Sequence, residues 1–320
     1  MRTLFTAAGS IGSRHIKNLT EVCKQKSIPL EIDVIRKSER VLPKDILELI
    51  HKEVRESAGI KTYDVGFITS ETKLHYDEIL ELGKRCQHLF IEKPVLDDCT
   101  YHVANITPQG DSVYYVACPI RFSKYFAETK KQVEMNDVFS ARMIFSSYMP
   151  AWQKGRDYRK SFRCFTERGG GVDIDSLHEI DMMTALFGFP KDVKHISGKY
   201  SNLAMNAPDL STGLFAYDDK IVEMHLDYFG RVNNRRTELF CRDDVIIIDF
   251  NQKTITKQLA GTVDEYGTDD RFYINEMNYF VDLILSDGKI KNINTVEKAF
   301  SNLKLAKGHS LTEDDYHELF

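Results

Sequence analysis

Three groups of residues in this 320-residue chain have types and spacings that could do chemistry. The first lies in the stretch GGGVDIDSLHEID, residues 169–181. On a helix Asp175 and His178 are three residues apart and share a face. A histidine beside a carboxylate is a natural proton-transfer pair near neutral pH. The same spacing also suits a helix-capping aspartate with a packed histidine. Asp181, three residues beyond His178, could orient the ring in place of Asp175. The glycine triplet before them reads as a flexible entry where a bulky backbone could not approach a ligand.

The second group is Ala7-Ala8-Gly9-Ser10-Ile11-Gly12, directly after an apolar run and at a helix start. Small residues there allow a tight turn and close approach of backbone to a pyrophosphate, which helix N-terminal amides then bind. Ala7 stands where the usual GxGxxG pattern has its first glycine. A purely structural strand–turn–helix would look similar. The third group is Glu92-Lys93-Pro94, which closes another apolar run. The carboxyl end of a strand is where doubly wound sheets bind ligands. Pro94 biases Lys93 toward an extended backbone, from which its ammonium could reach across a nicotinamide to a reacting oxygen. Taken alone, such a tripeptide is also a common surface turn.

The elements that must hold these groups follow from periodicity. Runs at 2–7, 30–35, 65–68, 89–91 and 113–117 read as strands, with helical patterns at 13–26 and from Thr69-Ser70 through Lys84. Strands alternating with helices imply crossover units and a parallel sheet. Residues 1–120 are therefore expected to form an α/β, Rossmann-type dinucleotide-binding domain. After Pro119 the texture changes. Strand-like runs at 138–148, 193–200, 213–216, 221–228, 237–241 and 245–250 suggest an antiparallel sheet. Helical patterns occur at 175–187, 270–285 and 296–307. Residues 121–320 are expected to form an α+β domain for substrate binding and oligomerisation, whose last helix could pack back on the first domain.

The end of the second strand bears on the cofactor. Dinucleotide folds that prefer NAD often place an acid there for the ribose hydroxyls. This chain has Arg36-Lys37-Ser38, which suits a 2′-phosphate, although a solvated basic turn would read the same. NADP(H) is favoured and NAD(H) remains possible. The expected cofactor contacts are Ala7, Gly9, Ser10, Ile11, Gly12, Arg36, Lys37, Ser38, Thr69, Ser70, His75, Glu92 and Lys93. For His75, as for His15, a structural role is the stronger reading. Expected substrate contacts are Lys93, Arg121, Arg156, Tyr158, Arg159, Asp175 and His178, with Arg235 and Arg236 as weaker candidates. Arg suits a phosphate or carboxylate and Tyr an apolar sugar face. A solvated loop is the alternative for 156–159.

The bulk properties set limits. A formal charge of −5 argues against nucleic acid as the main partner. No apolar run approaches the roughly 18 residues of a membrane span, and the N-terminus reads as a strand, not a secretory signal. The six cysteines are scattered without a CxxC pair, which points to reduced thiols in a cytoplasm. No metal site is expected.

Several segments taken together, GSIGSRHIKNL, TSETKLHYDEIL, FIEKP, IRFSK and GGGVDIDSLHEIDMMTALFG, resemble the Gfo/Idh/MocA oxidoreductases in order along essentially the whole chain. The late pair MHLDYFGRVNNRRTELF fits as well. The resemblance implies a Rossmann domain followed by a domain with a large open antiparallel sheet, which often supports dimers or tetramers. It implies that Lys93 is catalytic and that Asp175 and His178 are the acid and the histidine after the glycines. Many members space these as DxxxH, whereas this chain has DxxH. That spacing, and WQKGRDYR (152–159), look similar to a branch acting in bacterial surface-sugar biosynthesis. The implied activity is hydride transfer between a nicotinamide and a sugar-like or nucleotide-sugar carbon. In oxidation His178 would take the hydroxyl proton, Lys93 would stabilise charge on oxygen, and Asp175 would orient His178 or bind a neighbouring hydroxyl. A dehydrogenase of a free polyol or monosaccharide is the first alternative. A non-catalytic NAD(P)-binding sensor or scaffold is the second, and it would not need the proton-transfer set.

Overall fold

The computed structural model describes residues 1–36, 41–55, 62–152, 155–268 and 271–319. The chain divides into two compact units: Met1–Cys118 with Tyr273–Phe300, and Pro119–Phe272 with Ser301–Phe320.

In the first unit, strands β1 (Arg2–Phe5), β2 (Glu31–Ile35), β3 (Lys52–Val54), β4 (Tyr63–Ile68), β5 (Cys86–Ile91) and β6 (Tyr114–Val116) alternate with helices α1 (Ser10–Gln25), α2 (Lys44–Leu47) and α3 (His75–Leu82). Among the described residues the strands form one parallel sheet of order β3-β2-β1-β4-β5-β6. Leu4, Phe5, Val65, Phe67, Leu89 and Phe90 are all fully buried. Near-continuous apolar strands of this kind are what a sheet covered on both faces requires. Helix α1 lays Ile16, Leu19, Val22 and Cys23 against the sheet at helical spacing. The strand order reverses between β1 and β4, so the carboxyl ends of these strands flank the switch point where doubly wound sheets take ligands.

The second unit begins with α4 (Lys124–Met135), which starts at Ser123, whose Oγ accepts the Phe126 N–H at 3.1 Å. The elements β7 (Val138–Tyr148), α5 (Val172–Asp175), α6 (Leu177–Phe187), β8 (Asp192–Gly198), β9 (Leu210–Ala216), β10 (Ile221–Asp227), β11 (Phe229–Cys241), β12 (Val245–Asp249), β13 (Thr254–Lys257) and β14 (Thr262–Glu265) follow. The described strands form an eight-stranded sheet of order β14-β13-β12-β11-β7-β10-β9-β8. All neighbours are antiparallel except β7 and β10. Alternation sorts the two faces. Val193, Phe215, Val222, Ala141, Leu239 and Ile246 stand in register across six strands, and each is at most 5% exposed. They pack in one core with Tyr125 and Phe126 of α4 and Ile180 and Met183 of α6. One residue along, the opposite face carries Lys194, Leu214, Glu223, Arg142, Glu238 and Ile247. There Arg142 bridges Glu223 at 2.9 Å and Glu238 at 3.3 Å.

Three helices close the chain: α7 (Phe272–Leu285), α8 (Val296–Ala306) and α9 (Glu313–Leu319). Helix α7 belongs to the first unit, and α8, the last helix expected from sequence, is divided: its residues up to Phe300 belong to the first unit and those from Ser301 to the second. Phe280 packs edge-on against Phe67 (5.8 Å) and Phe90 (5.1 Å), and Asp282 pairs with Lys26 at 2.7 Å. Helix α9 lies in the second unit, where Lys304 and Asp315 pair at 2.5 Å and Tyr316 donates to the Pro190 carbonyl at 2.6 Å. The expected division at residue 120 therefore falls two residues late, and the second unit is interrupted by 273–300. Among the described residues no helix is long and apolar enough to cross a membrane.

Candidate active site

The turn after β1 is built around Gly12. A side chain there would put its Cβ 2.2 Å from the Ala7 carbonyl oxygen and 3.1 Å from Thr69 Oγ1. That carbonyl accepts the Thr69 hydroxyl at 2.7 Å, and the Thr69 N–H donates to Thr6 Oγ1 at 3.1 Å. These bonds tie the carboxyl ends of β1 and β4 together at the switch point. Gly9 precedes the first turn of α1, where no side chain caps the helix and no acid stands. Gly9 is exposed, and a Cβ on it would meet nothing within 4 Å. A 16-residue helix whose first turn carries no side-chain cap, next to an exposed glycine, fits the pyrophosphate of a dinucleotide. Arg36 stands just beyond β2, its N–H bonded to the Val54 carbonyl at 2.8 Å. Lys37 and Ser38 lie outside the described residues.

Lys93 follows β5, two strands from β1 in the same sheet, and is half-buried. The Lys93–Pro94 peptide is cis. The Lys93 N–H donates to Glu92 Oε2 at 3.1 Å, and Glu92 Oε1 lies 2.5 Å from His15 Nε2 of α1. Burial by itself would raise the Glu92 carboxyl. The His15 hydrogen bond and the charges on His15, Lys93 and His75 outweigh burial and hold the group below its ordinary range. His75 bonds the Pro94 carbonyl through Nδ1 at 3.0 Å and approaches the Ser70 carbonyl through Nε2 at 3.4 Å. Burial pushes His75 down. Ser70 donates to Glu78 at 2.5 Å.

In the second unit the glycine triplet is a packed turn, not a flexible entry. A Cβ on Gly170 would lie 2.6 Å from the carbonyl oxygens of both Phe162 and Arg163, and Gly171 holds φ at +130°. The helix expected over 175–187 is interrupted at Ser176, so Asp175 closes α5 and His178 is the second residue of α6. Asp175 Oδ2 takes the Arg163 Nε–H at 2.8 Å and lies 3.1 Å from the Tyr228 hydroxyl, which also reaches the Gly171 carbonyl at 3.2 Å. The nearby Asp175 carboxylate raises the Arg163 guanidinium above its ordinary value, and burial together with Asp175 holds the Tyr228 phenol well above its own. Tyr228 therefore stays a donor. Trp152 stands edge-on to Tyr228 at 5.3 Å and donates to Ser147 at 2.7 Å. Neither Arg163 nor Tyr228 was singled out from sequence. The signal for Arg163 was the aromatic, basic texture of 149–168, which does not say which arginine meets the aspartate, and Tyr228 was read as the end of the strand run 221–228.

Other expected contacts have structural partners. Arg121 grips Asp181 with Nε at 2.8 Å and Nη2 at 2.7 Å, and Asn302 donates to the same carboxylate at 3.2 Å. Asp181 is thereby engaged by Arg121, and the alternative of Asp181 as the His178 orienter is not favoured. Both side chains are largely buried, so Arg121→Met should strand a carboxylate and cost about 3–5 kcal/mol, read as a lowered urea midpoint. A midpoint shift under 1 kcal/mol would contradict that account. Arg235 pairs with buried Glu179 at 2.9 Å between the rings of Phe145 and Phe250, and Arg236 pairs with Glu238 at 2.8 Å. Arg159 forms an exposed pair with Asp157, and the Tyr158 hydroxyl accepts the Ala204 N–H at 3.0 Å. Arg156 is exposed. Among the described residues no group of three or more His, Cys, Asp or Glu could hold a metal ion.

No family model matches the chain. A curated relative, "Uncharacterized oxidoreductase YrbE" of Bacillus subtilis (strain 168), is 24% identical over 185 residues, 57% of this chain and 52% of that protein. The chain thus matches about half the length of that relative. Among solved structures, levoglucosan dehydrogenase in complex with NADH and levoglucosan superposes with a TM-score of 0.79 at 14% identity, covering 96% of this chain and 95% of that one. An oxidoreductase from Thermotoga maritima gives 0.78 at 14% over the same shares. A protein from Desulfitobacterium hafniense DCB-2, described as an NADPH-dependent oxidoreductase, gives 0.76 at 13%, covering 100% and 96%. At such identities the likeness shows a shared fold: a Rossmann-type unit and a unit with a mainly antiparallel sheet.

Proposed function

We propose that the protein is an oxidoreductase of the Gfo/Idh/MocA family that transfers a hydride between NADP(H), ahead of NAD(H), and a carbinol or keto carbon of a sugar-like small molecule. One arrangement carries this reading. The uncapped α1 turn stands at the β1–β4 switch point, and Lys93 stands at the carboxyl end of β5 in the same sheet. The nicotinamide supplies the hydride acceptor or donor. The amides of Ser10 and Ile11 hold the pyrophosphate, Arg36 with Lys37 and Ser38 takes the 2′-phosphate, and Thr69, Ser70 and Glu92 shape the floor. Lys93, as an ammonium, stabilises negative charge developing on the substrate oxygen. His178 takes the hydroxyl proton. Asp175, clamped by Arg163 and Tyr228, orients the polar groups around it. Arg156, Tyr158 and Arg159 contact substrate.

The finer substrate class is a sugar or nucleotide sugar of surface-glycan biosynthesis, on the strength of the DxxH spacing and WQKGRDYR. A free monosaccharide is the second reading, favoured by the likeness to a dehydrogenase solved with levoglucosan and with L-sorbose. Six free thiols suit a reducing cytoplasm. The outer face of the large sheet, with Leu214 and Ile221 each 47% exposed beside the Arg142 ladder, suits a homodimer or homotetramer. Light scattering should return a multiple of 36.9 kDa, and a monomer at micromolar concentration would exclude it.

Isothermal titration with NADPH and NADH tests the cofactor. NADPH should bind at least tenfold tighter, with the difference lost in Arg36→Ala. Absorbance at 340 nm with panels of free and nucleotide-linked sugars then tests the reaction. Binding of neither nucleotide would sink the enzyme reading, and nucleotide binding without turnover of any sugar would favour the NAD(P)-binding scaffold.

A further inference from the structure

Two buried histidines bracket Lys93. His75 holds the residue after it, through the Pro94 carbonyl, and His15 holds the residue before it, through the Glu92 carboxylate. His15 is the more telling. It is wholly buried, packed at 4.8 Å against the Phe90 ring and at 6.4 Å from Tyr273. Its Nε2 meets Glu92 at 2.5 Å, while its Nδ1 finds no hydrogen-bond partner among the described atoms. Facing a carboxylate oxygen, Nε2 acts as the donor to Glu92. An apolar residue would fill the same space without stranding a ring nitrogen, so packing does not explain a histidine here. What the ring does supply is a fixed donor to Glu92, whose other oxygen takes the Lys93 N–H at 3.1 Å.

We infer that His15 is a positioning residue for Lys93, acting through Glu92, and that it ties the helix that starts at the nucleotide turn to the ammonium at the end of β5. His15 lies three residues after Gly12, one turn along α1. The path is therefore short: turn, helix, ring, carboxylate, lysine. The pair fixes which way the Glu92 carboxylate faces and keeps it ionised beside Lys93, which favours the charged form of the lysine. The titratable and charged groups facing Glu92 are His15 from α1, Lys93 beside it, His75 from α3 and Tyr273 from α7, whose ring carries Arg14 at 4.4 Å. Glu78 in turn faces His75. The inference rests on the proposed role of Lys93, but its test does not need turnover.

The test is trace acetylation of the intact protein across pH, with Lys93 and Lys307 quantified by peptide mass spectrometry in wild type, His15→Ala, His15→Gln and Glu92→Gln. The pH of half-maximal Lys93 labelling should fall by about one unit in Glu92→Gln and in His15→Ala, because an opposite charge near an amine is lost or turned away. His15→Gln, whose amide can again donate from the Nε2 position, should restore most of the shift. Lys307, which pairs with Asp173 in the second unit, should stay unchanged throughout. An unchanged Lys93 curve in either Glu92→Gln or His15→Ala, with melting like wild type, would overturn the inference. If His15→Ala does not fold, His15→Leu, which fills the space without a donor, replaces it: a shift in both His15→Leu and Glu92→Gln supports the link, and no shift in either one overturns it. Absence of sugar turnover by wild type would count against the enzyme reading alone and leave the labelling result standing.

Discussion

Lys93→Met should lower turnover by about 10²–10³-fold while changing the NADPH dissociation constant less than threefold. Methionine keeps most of the stem and removes only the ammonium. The backbone around it is held independently: Glu92 donates its N–H to the Ile68 carbonyl at 2.9 Å, and Pro94 is anchored by His75 at 3.0 Å. The loss should therefore fall on kcat and not on folding. A charge that acts on negative charge developing in the transition state lowers kcat and kcat/KM together when removed, whereas a binding contact raises KM alone. Lys93→Arg should recover little, because a planar guanidinium cannot replace a compact point charge in a half-buried site. The readout is steady-state kinetics beside a fluorescence titration of NADPH. Full turnover in Lys93→Met would remove Lys93 from the mechanism.

The second large effect separates two glycines of one turn. Gly12→Val should abolish measurable NADPH binding and destabilise the first unit by about 2–3 kcal/mol, since its Cβ would sit 2.2 Å from the Ala7 carbonyl oxygen. That oxygen also accepts Thr69, so the turn cannot back away without breaking the link between β1 and β4. Gly9→Ala should behave differently. Gly9 has φ −69° and ψ −160°, which any residue adopts, and its Cβ would meet nothing. The variant should melt like wild type and yet bind NADPH at least tenfold more weakly, because the methyl group projects where the pyrophosphate approaches the backbone. Equal binding by Gly9→Ala and wild type would place the pyrophosphate elsewhere.

Much of the first unit was legible because its strands are short apolar runs. The strands β1, β2, β4, β5 and β6 are found within a few residues of their expected bounds, since burial on both faces leaves a signal that needs no partner to read. Strand β3 left none. Lys52–Val54 is a largely exposed edge that exists because β2 offers it hydrogen bonds. Strand β14, all four of whose residues are exposed, was missed for the same reason, and the half-buried β13 beside it carries only one buried side chain, Ile255. Helix α4 did carry its serine cap and apolar stripe, and could have been read. Helix α7 was readable as a helix, but its period does not say which sheet its apolar face will meet.

At the candidate site, the residue types and their order along the chain came from sequence by itself: a small-residue turn, a lysine at a strand end, an aspartate and a histidine after glycines. These are local patterns, because turn geometry, periodicity and chain direction act over a few residues. The pairings were decided only in three dimensions. Arg163 reaches Asp175 across the glycine turn, Arg121 finds Asp181 sixty residues on, and His15 meets Glu92 seventy-seven residues away. Each joins charged or polar groups that burial obliges to find a partner, and which partner is within reach depends on how separate elements pack. Sequence thus named the groups capable of chemistry, while packing determined which of them are bound in place and by what.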